Sequence, residues 1–285
     1  MRCYLCQNKS FNIRKGQVRD APTLKILECI NCGLVFLDSF EHITSEFYQE
    51  SPIVGKELPS VEYWLKLADT DDQQRFEMLK PMLKNKTLMD FGCGAGGFLN
   101  KARHVAEDVF GIESENKTRE YWSNVINIYP DFVSLRQDKT RFDIITAFHV
   151  LEHLHDPRAM LKNLASLLVE GGRIVVEVPS SEDILLTLYD SEPFQRFTYW
   201  SQHLFLFNPD SLRRLCEQAG LRIVTIQQFQ RYPLSNHLHW LSKGRSGGHS
   251  SWAFLDTPEL TRAYSNALAA IGKCDSLIAY LEIPD

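Results

Sequence analysis

The chain has 285 residues, 44% hydrophobic and 24% charged, which is enough to bury a full α/β core with additions and unlike disordered or fibrous compositions. A formal net charge of -5 supplies no general field for gathering a polyanion, so nucleic acid is an unfavoured partner. No stretch is apolar enough to span a bilayer, and the opening MRCYLCQNKS lacks the apolar core of a secretory signal, so a cytoplasmic protein without membrane partners is expected.

The first element is a pair of Cys-x2-Cys turns, Cys3/Cys6 and Cys29/Cys32, the second followed by Gly33. Two thiolates from each turn make a tetrahedral set, and a glycine suits the tight knuckle in which backbone amides bend towards the sulfurs. Four thiolates leave no open position for water, so the predicted ion is a structural Zn2+. Residues 1–38 read as a zinc ribbon with little core of its own, which metal binding would hold folded.

Residues 39–86 alternate polar helix formers with Phe47, Tyr48, Tyr63 and Trp64 and are broken by Pro52, Gly55 and Pro59, a pattern that predicts short helices in a linker. From Thr87 apolar runs alternate with amphipathic stretches, which predicts an α/β fold with a parallel sheet covered on both faces. The predicted strands are TLMDF, DVFGI, a weak one near DFVSL, FDIITAF, GGRIVVEV and LRIVTIQQF. A helix over 157–168 carries Asp156 as its N-cap and Pro157 in its first turn, and a helix over 210–219 ends at Gly220. Residues 87–230 form this domain. Residues 231–285 read as a C-terminal cap over the ligand edge of the sheet, with a loop containing KGRSGGHSS and a helical stretch over 258–282.

The chemistry concentrates in LMDFGCGAGGFL, residues 88–99. Read from Gly92 it fits Gly-x-Gly-x-x-Gly, with Glu113 about 20 positions on, as in NAD folds. A dinucleotide would bring an anionic pyrophosphate to the turn, which Asp90 opposes, whereas a cationic ligand suits that carboxylate.

Read from Asp90, the turn resembles the first motif of class I S-adenosylmethionine (SAM) methyltransferases. FDIITAFHVLEHLHDP (142–157) resembles their fourth motif, especially in the small-molecule branch that includes quinone O-methyltransferases. EGGRIVVEVPS (170–180) and QHLFLFNPDSLRRLCEQAGL (202–221) resemble the stretches that follow. The resemblance covers about residues 87–230 and implies a Rossmann-like sheet. It implies SAM as the cofactor, with Asp90, Gly92, Gly94 and Glu113 contacting it and Phe148 and His149 beside its methionyl group. The acidic residue such enzymes place against adenine has no obvious counterpart, with Ser134 or Leu135 at that place.

An alcohol acceptor must lose a proton, and histidine suits that task at neutral pH. His149, His153 and His203 are the candidates, with Tyr199 and Trp200 beside the last as pocket walls. None of Cys93, Cys216 and Cys274 reads as a nucleophile, Cys93 lying inside the glycine turn and Cys216 packing on the apolar side of a helix, while His237, His239 and His249 read as solvent-exposed polar residues. AFHV lacks the Asn/Asp-Pro-Pro-Phe/Tyr of methyltransferases acting on base amines, so oxygen or carbon acceptors are expected. A zinc ribbon before a class I domain resembles sugar C-methyltransferases and ribosomal RNA guanine methyltransferases. The expectation is a methyltransferase for a small molecule, such as a sugar, a nucleotide-linked sugar or another precursor of a surface glycan or secondary metabolite. The alternatives are an RNA enzyme whose ribbon binds RNA and a SAM-binding protein without catalysis.

Overall fold

A computed structural model of the chain describes residues 1–43, 59–137 and 140–284. Phe47, Tyr48, Pro52 and Gly55, read as part of the linker, lie outside the described residues.

The N-terminal module is an antiparallel sheet of β1 (Phe11–Ile13), β2 (Ile26–Cys29) and β3 (Val35–Leu37). Its outer partner is not its own: β3 pairs with Phe205–Leu206, so the sheet runs into the large domain. Leu34, Val35, Phe36 and Leu37 share one buried cluster with Leu204, Phe205, Leu206 and Phe207. The sparse core expected of an isolated ribbon is therefore corrected, because the module shares the main core.

Where short helices are expected, the described residues hold one long helix, α1 (Val61–Leu83). The Ser60 side chain caps it by accepting from the Tyr63 amide, and Pro81 sits near its end. Tyr63 and Leu67 face out, while Val61, Asp72, Leu79 and Leu83 are buried.

The elements then alternate as β4 (Thr87–Phe91), α2 (Gly97–Ala102), β5 (Asp108–Ile112), α3 (Asn116–Trp122), β6 (Asn127–Tyr129), α4 (Phe132–Gln137) and β7 (Phe142–Phe148). A 3-10 turn over Leu151–His153 leads to α5 (Pro157–Ala165), β8 (Leu168–Pro179), α6 (Glu192–Thr198), β9 (Phe205–Leu206), α7 (Pro209–Gln218) and β10 (Arg222–Phe229). The chain closes with α8 (Leu234–Lys243), α9 (Gly248–Ser251), α10 (Pro258–Ala270) and β11 (Ser276–Glu282).

The large sheet has the order β10-β11-β8-β7-β4-β5-β6. All neighbouring pairs from β8 to β6 are parallel, and β11 runs antiparallel to both of its neighbours. Successive residues go to opposite faces: Leu88, Ile144, Val175 and Ile278 to one buried cluster, and Met89, Ile145, Val176 and Ala279 to the other. The two-faced α/β sheet is as expected.

Four local expectations are corrected. The third strand is Asn127–Tyr129 rather than DFVSL, because Pro130 ends it and Asp131 accepts from the Ser134 amide at 2.8 Å to start α4. The helix from Pro157 stops at Ala165, and Leu168 already belongs to β8. The loop expected within the cap contains α8. The helical reading of 258–282 holds only to Ala270, since SLIAYLE is the strand β11 inside the sheet, not part of a cap. A short apolar run buried on both faces carries no periodicity that separates strand from helix.

Candidate active site

Ligands of such sheets bind beyond the carboxyl ends of the strands where the order reverses, here between β4 and its neighbours β7 and β5. The turn leaving β4 holds Gly92 at φ 71° and Gly94 at φ 53°, both left-handed. A Cβ on Gly92 would lie 2.6 Å from Val150 Cγ2, whereas one on Gly94 would meet nothing within 4 Å. Gly92 is closed in by protein, and Gly94 faces an open cradle. The Gly94 amide donates to Glu113 Oε2 at 2.9 Å, and the Glu115 amide donates to Glu113 Oε1 at 3.0 Å. Glu113 is thereby held at the rim of the cradle. Asp90 is buried and accepts from Thr146 Oγ1 at 2.6 Å, yet burial outweighs that bond and pushes its carboxyl up to about 7.

Beside the turn lies a charged cluster that crosses four segments. Arg75 of α1 reaches Glu177 of β8, with Nε to Oε2 at 2.8 Å and Nη2 to Oε1 at 3.2 Å, and its guanidinium lies 4.7 Å from the centre of the Phe148 ring. His149 follows β7 with φ 54° and places Nε2 2.8 Å from Glu177 Oε1 and Nδ1 3.1 Å from Glu152 Oε1. Arg231 adds a contact to His149 Nε2 at 2.9 Å and an ion pair with Asp71. Burial and the Arg231 charge disfavour the imidazolium of His149, but Glu177 and Glu152 outweigh them and its pKa is raised. Burial likewise opposes ionisation of Glu177, but Arg75, His149 and Arg231 hold its carboxyl well below the usual range.

Three residues beyond His149, Glu152 links this cluster to a second one. Glu152 Oε1 lies 3.9 Å from His153 Nε2. His153 Nδ1 sits 2.8 Å from the Gln202 carbonyl and His203 Nδ1 2.9 Å from the Thr198 carbonyl, with the ring centres 5.0 Å apart. A carbonyl only accepts, so both Nδ1 atoms carry a proton, and Nε2 is the nitrogen left to hold a lone pair in the neutral ring. Burial lowers the His203 pKa to about 3, keeping that ring neutral. Trp200 walls the pair, with its ring 5.7 Å from His203, and Arg19 stacks on Trp200 at 4.6 Å.

Residues 70–226 match the Methyltransf_23 family, a methyltransferase domain, over more than half of the chain. This chain belongs to the class I SAM-dependent methyltransferases. It is 31% identical over 168 residues to a ubiquinone biosynthesis O-methyltransferase of Coxiella burnetii (strain Dugway 5J108-111), covering 54% of this chain and 71% of the relative. A protein of the same name from Neisseria meningitidis serogroup C is 26% identical over 169 residues, again 54% of this chain and 71% of the relative. In fold it resembles a SAM-dependent methyltransferase from Archaeoglobus fulgidus, with TM-score 0.52 and 18% identity over 77% of this chain and 98% of that one. A Thermotoga maritima methyltransferase, described as a possible histamine N-methyltransferase, gives TM-score 0.50 and 16% identity over 78% and 94%.

The methyltransferase's sequence-predicted residues thus fall in two places. Asp90, Gly92 and Gly94 lie at the end of β4 and the turn that follows it, with Glu113 bonded to the Gly94 amide and Phe148 and His149 at the end of neighbouring β7, while His153 and His203 meet at the second cluster. Both ring nitrogens of His149 lie within hydrogen-bond distance of a carboxylate. Leu135 is buried in the core and offers no polar group to an adenine. Sequence reasoning missed Asp72, Arg75, Thr146, Glu152, Glu177 and Arg231. The available signal was Glu177, a lone acid in the apolar run IVVEV.

Cys3, Cys6, Cys29 and Cys32 converge with all four sulfurs within 4.8 Å of one another, and the closest pairs lie at 3.5 Å and 3.4 Å. A tetrahedral ion with Zn–S bonds of about 2.3 Å requires sulfurs roughly 3.8 Å apart, so the four residues fit zinc. Cys93, Cys216 and Cys274 are buried among apolar neighbours. His237 and His239 are buried rather than solvent-exposed, His237 against Tyr264 and His239 against the Arg245 carbonyl, while His249 contacts the Asn236 side chain; among the described residues the three form no joint ligand set.

Proposed function

We propose that this methyltransferase methylates an oxygen of a small molecule whose hydroxyl docks against His153 and His203. The observation that carries the reading is the pair of imidazoles with Nδ1 tied to backbone carbonyls, their rings 5.0 Å apart beside Glu152, which joins them to His149. SAM supplies a methyl group activated on a sulfonium. Asp90 answers the cationic end of that cofactor, Glu113 accepts from ribose hydroxyls, and the cradle at Gly94 lets the backbone approach. Arg75, Glu177 and Arg231 fix His149 on the rim. His153 and His203 bind and activate the acceptor hydroxyl, and Trp200 supplies a flat apolar wall.

A phenolic hydroxyl, with a pKa near 10, is closer to histidine than an aliphatic alcohol is. The relatives' name points the same way, so a phenol is placed first. A sugar or nucleotide-linked sugar, read first from the sequence, is the second acceptor class. The test incubates purified protein and SAM with phenols and catechols, nucleotide sugars and ribosomal RNA, and follows gain of one methyl group by mass spectrometry. A methylated phenol or catechol is the expected result. Methylated RNA would sink the small-molecule reading, and SAM binding without transfer to any acceptor would favour a non-catalytic protein.

A further inference from the structure

We propose that Glu152, His153 and His203 form a site for a divalent transition-metal ion, separate from the four-cysteine centre. One ligand atom from each residue lies within 4.8 Å of the others. Ligand atoms sharing one tetrahedral ion at bond lengths of about 2.1 Å lie roughly 3.4 Å apart, so a contraction of up to about 1.4 Å closes the set.

Three independent features point to a cation. Each histidine gives its Nδ1 proton to a backbone carbonyl, the arrangement that orients an imidazole for coordination through Nε2. Glu152 is wholly buried, and its Oε2 has no hydrogen-bond partner among the described residues although Oε1 is engaged by His149. A buried carboxylate oxygen without a partner is costly, and a cation satisfies it. Finally, two nitrogens and one oxygen are a donor set for zinc, manganese, iron or cobalt, and three protein ligands leave a position open. The cysteine set is closed, so the two centres differ in kind.

The role of the ion rests on the acceptor position given above; its binding does not. With an ion here the Nε2 lone pairs would be taken up as ligands, and the ion in place of the imidazoles would hold the acceptor oxygen and make its hydroxyl more acidic, the proton passing to solvent. The oxygen lone pair then forms the new C–O bond as the C–S bond breaks, leaving a neutral thioether.

The full chain is dialysed against EDTA, given one equivalent of zinc for the cysteines, and titrated with Mn2+, which thiolates bind poorly. The free Mn2+ electron paramagnetic resonance signal reports binding. The expected result is one Mn2+ per chain, with affinity at least tenfold lower in His203→Ala and Glu152→Gln. SAM affinity checks that each variant is folded, and His203→Gln stands in for any that is not. Absence of Mn2+ binding, or binding indifferent to folded variants at both positions, would overturn the site. Transfer at full rate by ion-free protein would overturn the role while leaving the methyltransferase reading intact. Variant-sensitive binding with no acceptor methylated would support the site and count against the acceptor reading.

Discussion

The guanidinium of Arg75 grips both oxygens of Glu177 across 102 positions of sequence, Nε to Oε2 at 2.8 Å and Nη2 to Oε1 at 3.2 Å. The Glu177 side chain is fully buried, so its charge depends on partners held by other segments.

Arg75→Ala leaves that carboxylate short of its main partner, and a loss of about 3–5 kcal/mol is expected in urea unfolding. Glu177 has a depressed pKa in the fold, so its contribution to stability is complete above the ordinary value of 4.5 and is lost as pH falls below it. The wild type should therefore lose stability on acidification more steeply than Arg75→Ala. Equal slopes would remove the pair from the account.

Asp90 behaves in the opposite sense. Burial raises its pKa from 3.8 to about 7, so the stability it contributes is complete below 3.8 and is lost as pH rises through about 7. The full span is on the order of 4 kcal/mol. Asp90→Asn should stabilise the SAM-free protein at pH 8 relative to wild type and weaken SAM binding. Calorimetry at pH 6 in buffers of different ionisation enthalpy should show proton release on SAM binding by the wild type and none by the variant.

The two glycines of the turn should separate fold from ligand. Gly94→Ala meets no protein atom and costs about 1–2 kcal/mol for its left-handed backbone, but its methyl intrudes on the cradle. SAM affinity should fall at least tenfold with a small change in Tm. Gly92→Ala collides with Val150 and should lower Tm much further. The reverse order would place the cofactor elsewhere.

His153→Ala and His203→Ala should lower turnover by about 10²–10⁴. Their SAM affinity should stay within about twofold of wild type, since neither residue lines the cradle. A variant that loses SAM affinity and turnover together would mark a structural role.

Stripping metal from the cysteines, or Cys29→Ser, should loosen more than residues 1–38, because β3 pairs with β9. Hydrogen exchange should rise at Phe205 and Leu206 together with Val35 and Phe36, while the turn at 92–97 stays protected. Confinement of the change to the N-terminal strands would contradict the shared sheet.

Local features were the most legible in the sequence. The glycine turn, Asp156 as N-cap, Gly220 after α7 and the paired cysteines each depend on a few adjacent residues, and each stands where their chemistry places it. Boundaries failed where local signals competed: Pro130 and Asp131 set the end of β6 and the start of α4 against the apolar residues of DFVSL. The sequence singled out His149, His153 and His203 among the histidines, but only their surroundings show that the His149 ring is engaged on both sides while His153 and His203 face Glu152.

By itself the sequence determined the α/β alternation, the cradle and the cysteine set, because backbone conformation and short-range spacing decide those. Tertiary structure alone decided that SLIAYLE is a sheet strand, that β9 completes the N-terminal sheet, and that Arg75, Glu177 and Arg231 converge on His149. These depend on burial and on charges meeting through space. A buried carboxylate is stable only beside partners that distant segments deliver, and no local pattern of residues encodes that meeting.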